Sequence, residues 1–371
     1  MDTERGRATR FLARPLVALR GIVILVLAGH PLNHPLLGQD WRPCDSCEPI
    51  RWNVERILGP TSNSGSPSLR ATVATNGDLY LVAPLDGDPD EITVHSASQE
   101  SVLGRRGDGP GEFRAINRVV YGEGTFRVFS RARETLYDDT LNLITTRRVP
   151  VPAFAAVPLD SSRSVVQGWL RAREGQSGFL FHVIGQDGSG SFGPRITSLG
   201  RNPRAVLFAL GPSPGPYFWA AAQDSYVFEK WSADGQVVKT LRPRSSTLIF
   251  ERIGADEVID PFNRRPPATV VALREDTQGR LWVATLVAKS DWRPTEQLEE
   301  GRDYAAALVQ LGETIVEVID IGSSRVIASQ RIPRYIDHFI ADGLAVARDV
   351  DAYDVSHLEV VRFTIQNEED R

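Results

Sequence analysis

The 371-residue chain has few cysteines, few histidines and no excess of positive charge, and each shortage removes a class of function. With 42 Lys and Arg against 47 Asp and Glu, its formal net charge is −5. A nucleic-acid binder presents a basic patch to the phosphates, so a nucleic-acid partner is excluded. The two cysteines, Cys44 and Cys47, lie in "WRPCDSCEP" between Pro43 and Pro49, where no helix N-terminus could lower a thiol pKa. Redox catalysis is therefore not expected, and no second cysteine pair completes a zinc site. A short local disulfide or two unpaired thiols in a tether is the plain reading. No uninterrupted apolar run is long enough to span a bilayer, which needs about 20 residues, although "PLVAL" and the run after Arg20 together make a longer segment broken only by that arginine.

The longest apolar run is "GIVILVLAG", Gly21 to Gly29, and it follows Arg5, Arg7, Arg10, Arg14 and Arg20. A basic stretch before a short apolar run is the pattern of an export signal. Residues 1–39 are read as a signal peptide or, if uncleaved, an N-terminal membrane anchor, and residues 40–49 as a cysteine-containing tether. The protein is then expected outside the cytoplasm, periplasmic or extracellular, touching a membrane only through that first segment.

From about Ile50 the periodicity is that of strands. Short β-branched and aromatic runs alternate with Gly, Asp, Asn and Pro clusters, and helical spacing is scarce. This predicts an all-β domain over residues 50–367, with a short tail at 368–371. The strands repeat. "TNGDLYLVA" from Thr75 matches "TQGRLWVAT" from Thr277, each a turn feeding a strand. A strand, polar turn and second strand recur at Ile92, Leu136, Phe228 and Val316. Such a hairpin covers only one face, so several copies must stack to exclude water.

Setting these units in register gives about six modules of roughly forty to sixty residues, a blade-like period. In the third, "AAVPLD", "SVVQGWL" and "FLFHVIG" read as strands and "QDGSGSFGP" as a Gly-rich turn. The last module, "YIDHFIA", "LAVARDV" and "LEVVRFTI", is one strand short, while "IRWNVERIL", Ile50 to Leu58, has no partner. Pairing the two would close a ring and remove its open edges. The fold expected is a six-bladed β-propeller closed by an N-terminal strand that completes the last blade, with seven blades as the alternative.

"GRRGDGPGEF", Gly104 to Phe113, resembles the Gly-x-Gly-Pro-Gly-Glu-Phe joint of the exported six-bladed propellers of the NHL-like and TolB-like group, and turns such as "SADGQVV" are similar. The resemblance implies that this segment links the outer strand of one blade to the inner strand of the next. Its residue types suit such a link, with glycines for positive φ, Pro110 for stiffness and Phe113 to pack between blades. No helix follows to make it a phosphate cradle. An adhesion role for the tripeptide Arg106 to Asp108 is the weaker reading.

Propellers host enzymes and inert scaffolds alike. Calcium-dependent propeller lactonases gather oxygen ligands at the channel mouth, and by that likeness the candidate metal ligands are Glu275, Asp276, Asp337, His338 and Asp342, with calcium as the candidate ion. Their plain reading is turn-capping carboxylates and a packed imidazole. A zinc lyase would need several inner-strand histidines, whereas His95 and His182 register as third-strand residues. A binding or scaffold role needs less special chemistry. The inserts Arg242 to Pro267 and Ser290 to Tyr304 are the longest departures from the repeat, and Trp292 and Tyr304 are candidate contact anchors. The function expected is non-catalytic binding or scaffolding, with a metal-assisted (calcium or zinc) hydrolase or lyase as the alternative. A protein, peptide or glycan of the cell envelope, or a small metabolite, would be the partner.

Overall fold

Among the described residues the hydrogen-bond ladders sort 24 strands into six antiparallel sheets of four. The computed structural model describes residues 47–60, 71–84, 90–168, 178–186, 188–196, 208–243, 248, 250–251, 264–294, 311–350 and 356–366. The chain divides into a unit Met1–Leu37 and a unit Gly38–Arg371, and the described residues all belong to the second. Among them no helix is long and apolar enough to cross a membrane.

Strand β1 (Ile50–Pro60) stands apart in sequence. Blade one then follows as β2 (Ala71–Thr75), β3 (Tyr80–Pro84), β4 (Ile92–His95) and β5 (Glu100–Leu103). Blade two is β6 (Ile116–Gly122), β7 (Thr125–Ser130), β8 (Arg133–Tyr137) and β9 (Leu143–Arg148). Blade three is β10 (Ala155–Pro158), β11 (Ser164–Gln167), β12 (Gly178–Gly185) and β13 (Gly188–Ile196). Blade four comprises β14 (Phe208–Ser213), β15 (Tyr217–Ala222), β16 (Phe228–Ser232) and β17 (Val237–Leu241). Blade five comprises β18 (Thr269–Glu275), β19 (Arg280–Ala288), β20 (Gly312–Asp320) and β21 (Arg325–Ile332). Blade six holds β22 (Tyr335–Ala341), β23 (Leu344–Val350) and β24 (Ser356–Ile365), and β1 lies outermost beside β24. First strands of neighbouring blades touch in the cycle β2, β6, β10, β14, β18, β22 and back to β2, so the sheets form a closed ring. The protein is a six-bladed β-propeller, and the seven-blade alternative falls away.

The repeated turns are explained by side chains that cap the backbone. In the β2–β3 turn Asn76 Oδ1 accepts the N–H groups of Asp78 and Leu79 at 3.1 and 2.9 Å, and Gly77 takes φ +102°. In the β18–β19 turn Asp276 Oδ1 accepts those of Gln278 and Arg280 at 2.9 and 3.0 Å, with Gly279 at φ +74°. These are the two "Thr-x-Gly" segments, both leading into the second strand of a blade.

Blade three departs from expectation at its outer edge. The Gly-rich stretch is the fourth strand, β13, rather than a turn. An edge strand contributes little to the core, so it tolerates glycine, and one glycine is required: a Cβ on Gly193 would lie 2.5 Å from the Phe181 ring. The pairing slips by one residue near that ring, between Phe179 and Phe181.

Packing is distributed around the ring. Six principal apolar clusters lie one at each blade junction: Leu81 with Phe126 (one and two), Phe129 with Val151 (two and three), Phe181 with Phe218 (three and four), Trp219 with Leu281 (four and five), Trp282 with Phe339 (five and six), and Val360 with Val73 (six and one). The second of these is reinforced by charge. Arg127, 0% exposed, donates from Nη1 to Ser164 Oγ at 2.5 Å and to Arg163 O at 2.6 Å, and from Nε to Thr125 Oγ1 at 3.2 Å. Glu134, also 0% exposed, accepts from Ser164 Oγ at 2.6 Å and from Arg147 Nε at 2.5 Å. Burial lowers the Arg127 pKa to about 10 although Glu134 opposes the shift.

The Gly104–Arg114 segment is the expected joint between β5 and β6. Phe113 is fully buried in the cluster between blades one and two, and a Cβ on Gly104, at φ +87°, would collide with its ring at 2.4 Å. Glu112 pins the loop by accepting Gly109 N–H at 2.8 Å and Arg105 Nε at 2.9 Å. Asp108 pairs with Arg114 at 2.9 Å and Arg133 at 3.6 Å, which ties the acidic residue of the Arg-Gly-Asp tripeptide to the scaffold.

The termini seal the ring. Ile50 pairs with Ile365 and Pro60 with His357, the register shifting near Val54 and Ile57, and Arg362 grips Glu55 across the pair. Removal of residues 50–58 should therefore lower the melting temperature and expose β24 as an open edge, producing self-association measurable by light scattering. A truncated chain that stays monomeric with unchanged melting would refute the closure. Glu134→Ala leaves the Arg127 charge without its carboxylate and should cost about 3–5 kcal/mol in denaturant unfolding; a loss under about 1 kcal/mol would show the network to be dispensable.

Candidate functional site

All six inner strands border one axial cavity of about 270 Å³. Most of its wall is small and aliphatic, because inner strands crowd toward the axis. Its ionisable wall residues include Arg118 from β6, Arg274 from β18, and Asp337 and His338 from β22.

Asp337 is the electrostatic centre. Arg348 Nη2, from β23, donates to its Oδ1 at 2.9 Å, and His338 Nδ1 lies 2.8 Å from its Oδ2. Burial opposes ionisation here, yet Arg348, the His338 contact and Arg118 outweigh it and hold the carboxyl well below the usual carboxylate range. His338 Nε2 donates to Val73 O at 2.7 Å and Arg348 Nη2 to Ala71 O at 3.2 Å, so the cluster also stitches blade six to blade one. Arg118 reaches from β6 to donate through Nη2 to Phe154 O at 2.6 Å, linking blades two and three. Burial lowers its pKa, against the pull of Asp337.

The other candidate ligands do not join this cluster. Glu275, at the end of β18, accepts Ser213 Oγ at 2.5 Å, Trp219 Nε1 at 2.6 Å and Lys230 Nζ at 2.9 Å, which clamps blade five to blade four. Asp276 caps its own turn and takes Arg280 Nε at 2.7 Å and Trp282 Nε1 at 2.9 Å. Asp342 accepts Arg274 Nε at 3.1 Å and Thr277 N–H at 3.0 Å, tying blade six to blade five. Among the described residues no group of three or more His, Cys, Asp or Glu could hold a metal ion. The five residues thus divide into one cavity pair, Asp337 and His338, and three carboxylates that serve turns and blade junctions. Glu275 keeps company with a lysine, and the arginines on Asp276 and Asp342 leave those carboxylates poorly suited to a cation.

His95 and His182 sit on β4 and β12, third strands as expected; His182 Nδ1 is 2.8 Å from Ser191 Oγ and burial lowers its pKa. Trp292 is only 9% exposed. Tyr304 and residues 1–46, including Cys44, lie outside the described residues. Cys47 is disulfide-bonded. The residues that sequence reasoning missed are Arg118 and Arg348. Each is the one arginine of its strand, "NRVVYG" and "LAVARDV", beside a second polar residue, and a cation at that place is the one signal that could have exposed them.

No protein-family model matches the sequence, and no curated protein matches it. Solved structures resemble it in fold. A member of the DUF4221 family from Bacteroides vulgatus is 10% identical with a TM-score of 0.58, covering 87% of this chain and 99% of that one. A candidate exported protein of Bacteroides fragilis is 12% identical with a TM-score of 0.45, covering 88% and 97%. Regucalcin from Agrobacterium tumefaciens, a calcium-binding protein, is 12% identical with a TM-score of 0.44, covering 85% and 96%. At these identities the likeness is one of fold.

The acid limb of stability follows from the lowered carboxyls. Asp337 is held below its ordinary value, and Asp160, where burial is outweighed by bonds from Arg163 and Ser162, falls to about 2. A carboxyl depressed in the fold contributes stability above its unfolded value of about 4 and loses it as the pH falls through the folded value. The melting temperature should hold down to about pH 5 and drop steeply between about pH 4 and pH 2. A flat profile across that window would contradict these interactions.

Proposed function

We propose that the protein is an exported propeller that binds a ligand in its axial cavity without turning it over. The observation that carries this reading is the axial cavity itself: six inner strands border a preformed space of mixed polarity in which, among the described residues, the one carboxylate is Asp337, already bound by Arg348 and His338. A general base or a metal ligand needs a lone pair directed at the reacting atom, whereas each oxygen of this carboxylate is already engaged, by Arg348 and by His338. A small concave pocket that combines aliphatic wall with convergent polar groups is the usual form of a binding site. Export is supported by the basic stretch and short apolar run before Gly29, and by the disulfide at Cys47, a bond that persists in oxidising compartments.

Calcium or zinc at saturating concentration should leave the melting temperature unchanged, while small-molecule ligands of the cavity should raise it. The variant Ala155→Trp, which places a large ring on the partly exposed wall of β10, should abolish that rise while melting like the parent. Strong stabilisation by either metal would instead favour a metal-assisted hydrolase or lyase.

A further inference from the structure

Arg118 is left with hydrogen-bonding capacity that the described residues do not use. A guanidinium has five donor hydrogens, and here Nη2 alone is engaged, on Phe154 O at 2.6 Å. Nε is buried with no partner, and Nη1 makes no hydrogen bond to the described residues either. The charge around the cavity is unbalanced in the same sense. Arg274 is neutralised by Asp342 at 3.1 Å. Arg118 and Arg348 then face the single carboxylate of Asp337, and Arg348 already holds it at 2.9 Å. A positive charge with idle donors beside a low-dielectric wall is costly unless an anion arrives to meet it.

The wall limits which anion fits. Val120, Ala155, Leu210 and Val271 are partly exposed aliphatic residues bordering the cavity, and Phe154 is 39% exposed beside the arginine. A phosphate dianion would need further cations and would waste the apolar surface. A volume of about 270 Å³ admits only a small molecule.

We propose that the axial cavity selects a small monocarboxylate with a short aliphatic portion, its carboxylate received by the unbonded Nη1 of the Arg118 guanidinium and its chain by the aliphatic wall. This rests on the reading of the cavity as a binding site. Arg348, paired with Asp337 at 2.9 Å, offsets the negative charge that Asp337 adds to the wall.

The test is calorimetric titration of the full chain with pentanoate, pentanamide and inorganic phosphate. Pentanoate should bind, and the neutral amide should bind about tenfold or more weakly, because a charge-assisted bond is lost. Arg118→Gln, which removes the charge and keeps a polar amide, should fold and lose pentanoate affinity by a similar factor; Arg118→Lys should keep part of it. Circular dichroism melting of both variants separates lost binding from lost fold. No pentanoate binding at millimolar concentration, or equal affinity in Arg118→Gln, overturns the proposal. Amide or phosphate binding as tight as pentanoate, still abolished by Ala155→Trp, overturns the carboxylate assignment while the cavity stands as a binding site. Pentanoate binding that survives Ala155→Trp overturns both readings.

Discussion

A blade of this protein is a sheet with two apolar faces and no means of covering either by itself. Strand β7 is buried along its whole length and β19 nearly so, yet neither blade contains a second layer to receive such faces. Water is excluded only where one blade lies against the next, and so the six junction clusters between neighbours are interdependent. A linear stack would leave its first and last blades half bare. The ring solves this, and its integrity is secured by β1 donating its ladder to β24 from the opposite end of the domain. The axial cavity is a product of the same constraint, since it is the space left where six inner strands converge.

Junctions differ in how they are held. Aromatic packing dominates between blades three and four, where Phe181, Phe218 and Trp231 meet edge to face. Between blades two and three a buried ion network around Arg127 and Glu134 supplements a smaller apolar cluster. Glu275 with Lys230 and Asp342 with Arg274 then secure the flanks of blade five. Carboxylates that from their chemistry alone could serve as ligands are thus the fasteners of the ring.

Most of the architecture was legible in the chain because its turns declare themselves. Asn76 and Asp276 cap backbone N–H groups in ways that their residue types announce, and the aromatic that follows each turn marks the second strand. The orphan strand at Ile50 was legible by subtraction, as the piece missing from blade six. What was not legible lay where side chains say little. The outer strand of blade three is rich in glycine and lacks the β-branched pattern, so it reads as a turn, although its partner β12 gives it a ladder. In the cavity, Asp337 and His338 were visible as polar residues on an inner strand. Arg118 was not, because one arginine in an amphipathic strand looks like a solvated position until the opposite wall is known. Glu275, Asp276 and Asp342 were drawn together by proximity in sequence to inner strands; their orientation toward neighbouring blades is set by partners such as Lys230 and Arg274, which no local pattern reveals.

The pairing of β1 with β24 also fixes when this molecule can be finished. The residues it joins are separated by about three hundred positions, as Glu55 and Arg362 show with 307. During synthesis β1 leaves the ribosome ahead of the other described strands and must wait, unpaired, until the last blade has emerged. Intermediate blades can form their hairpins along the way, but the final annealing step belongs to the complete ring of strands. The nascent chain is thereby kept open by its own topology for as long as it is being made.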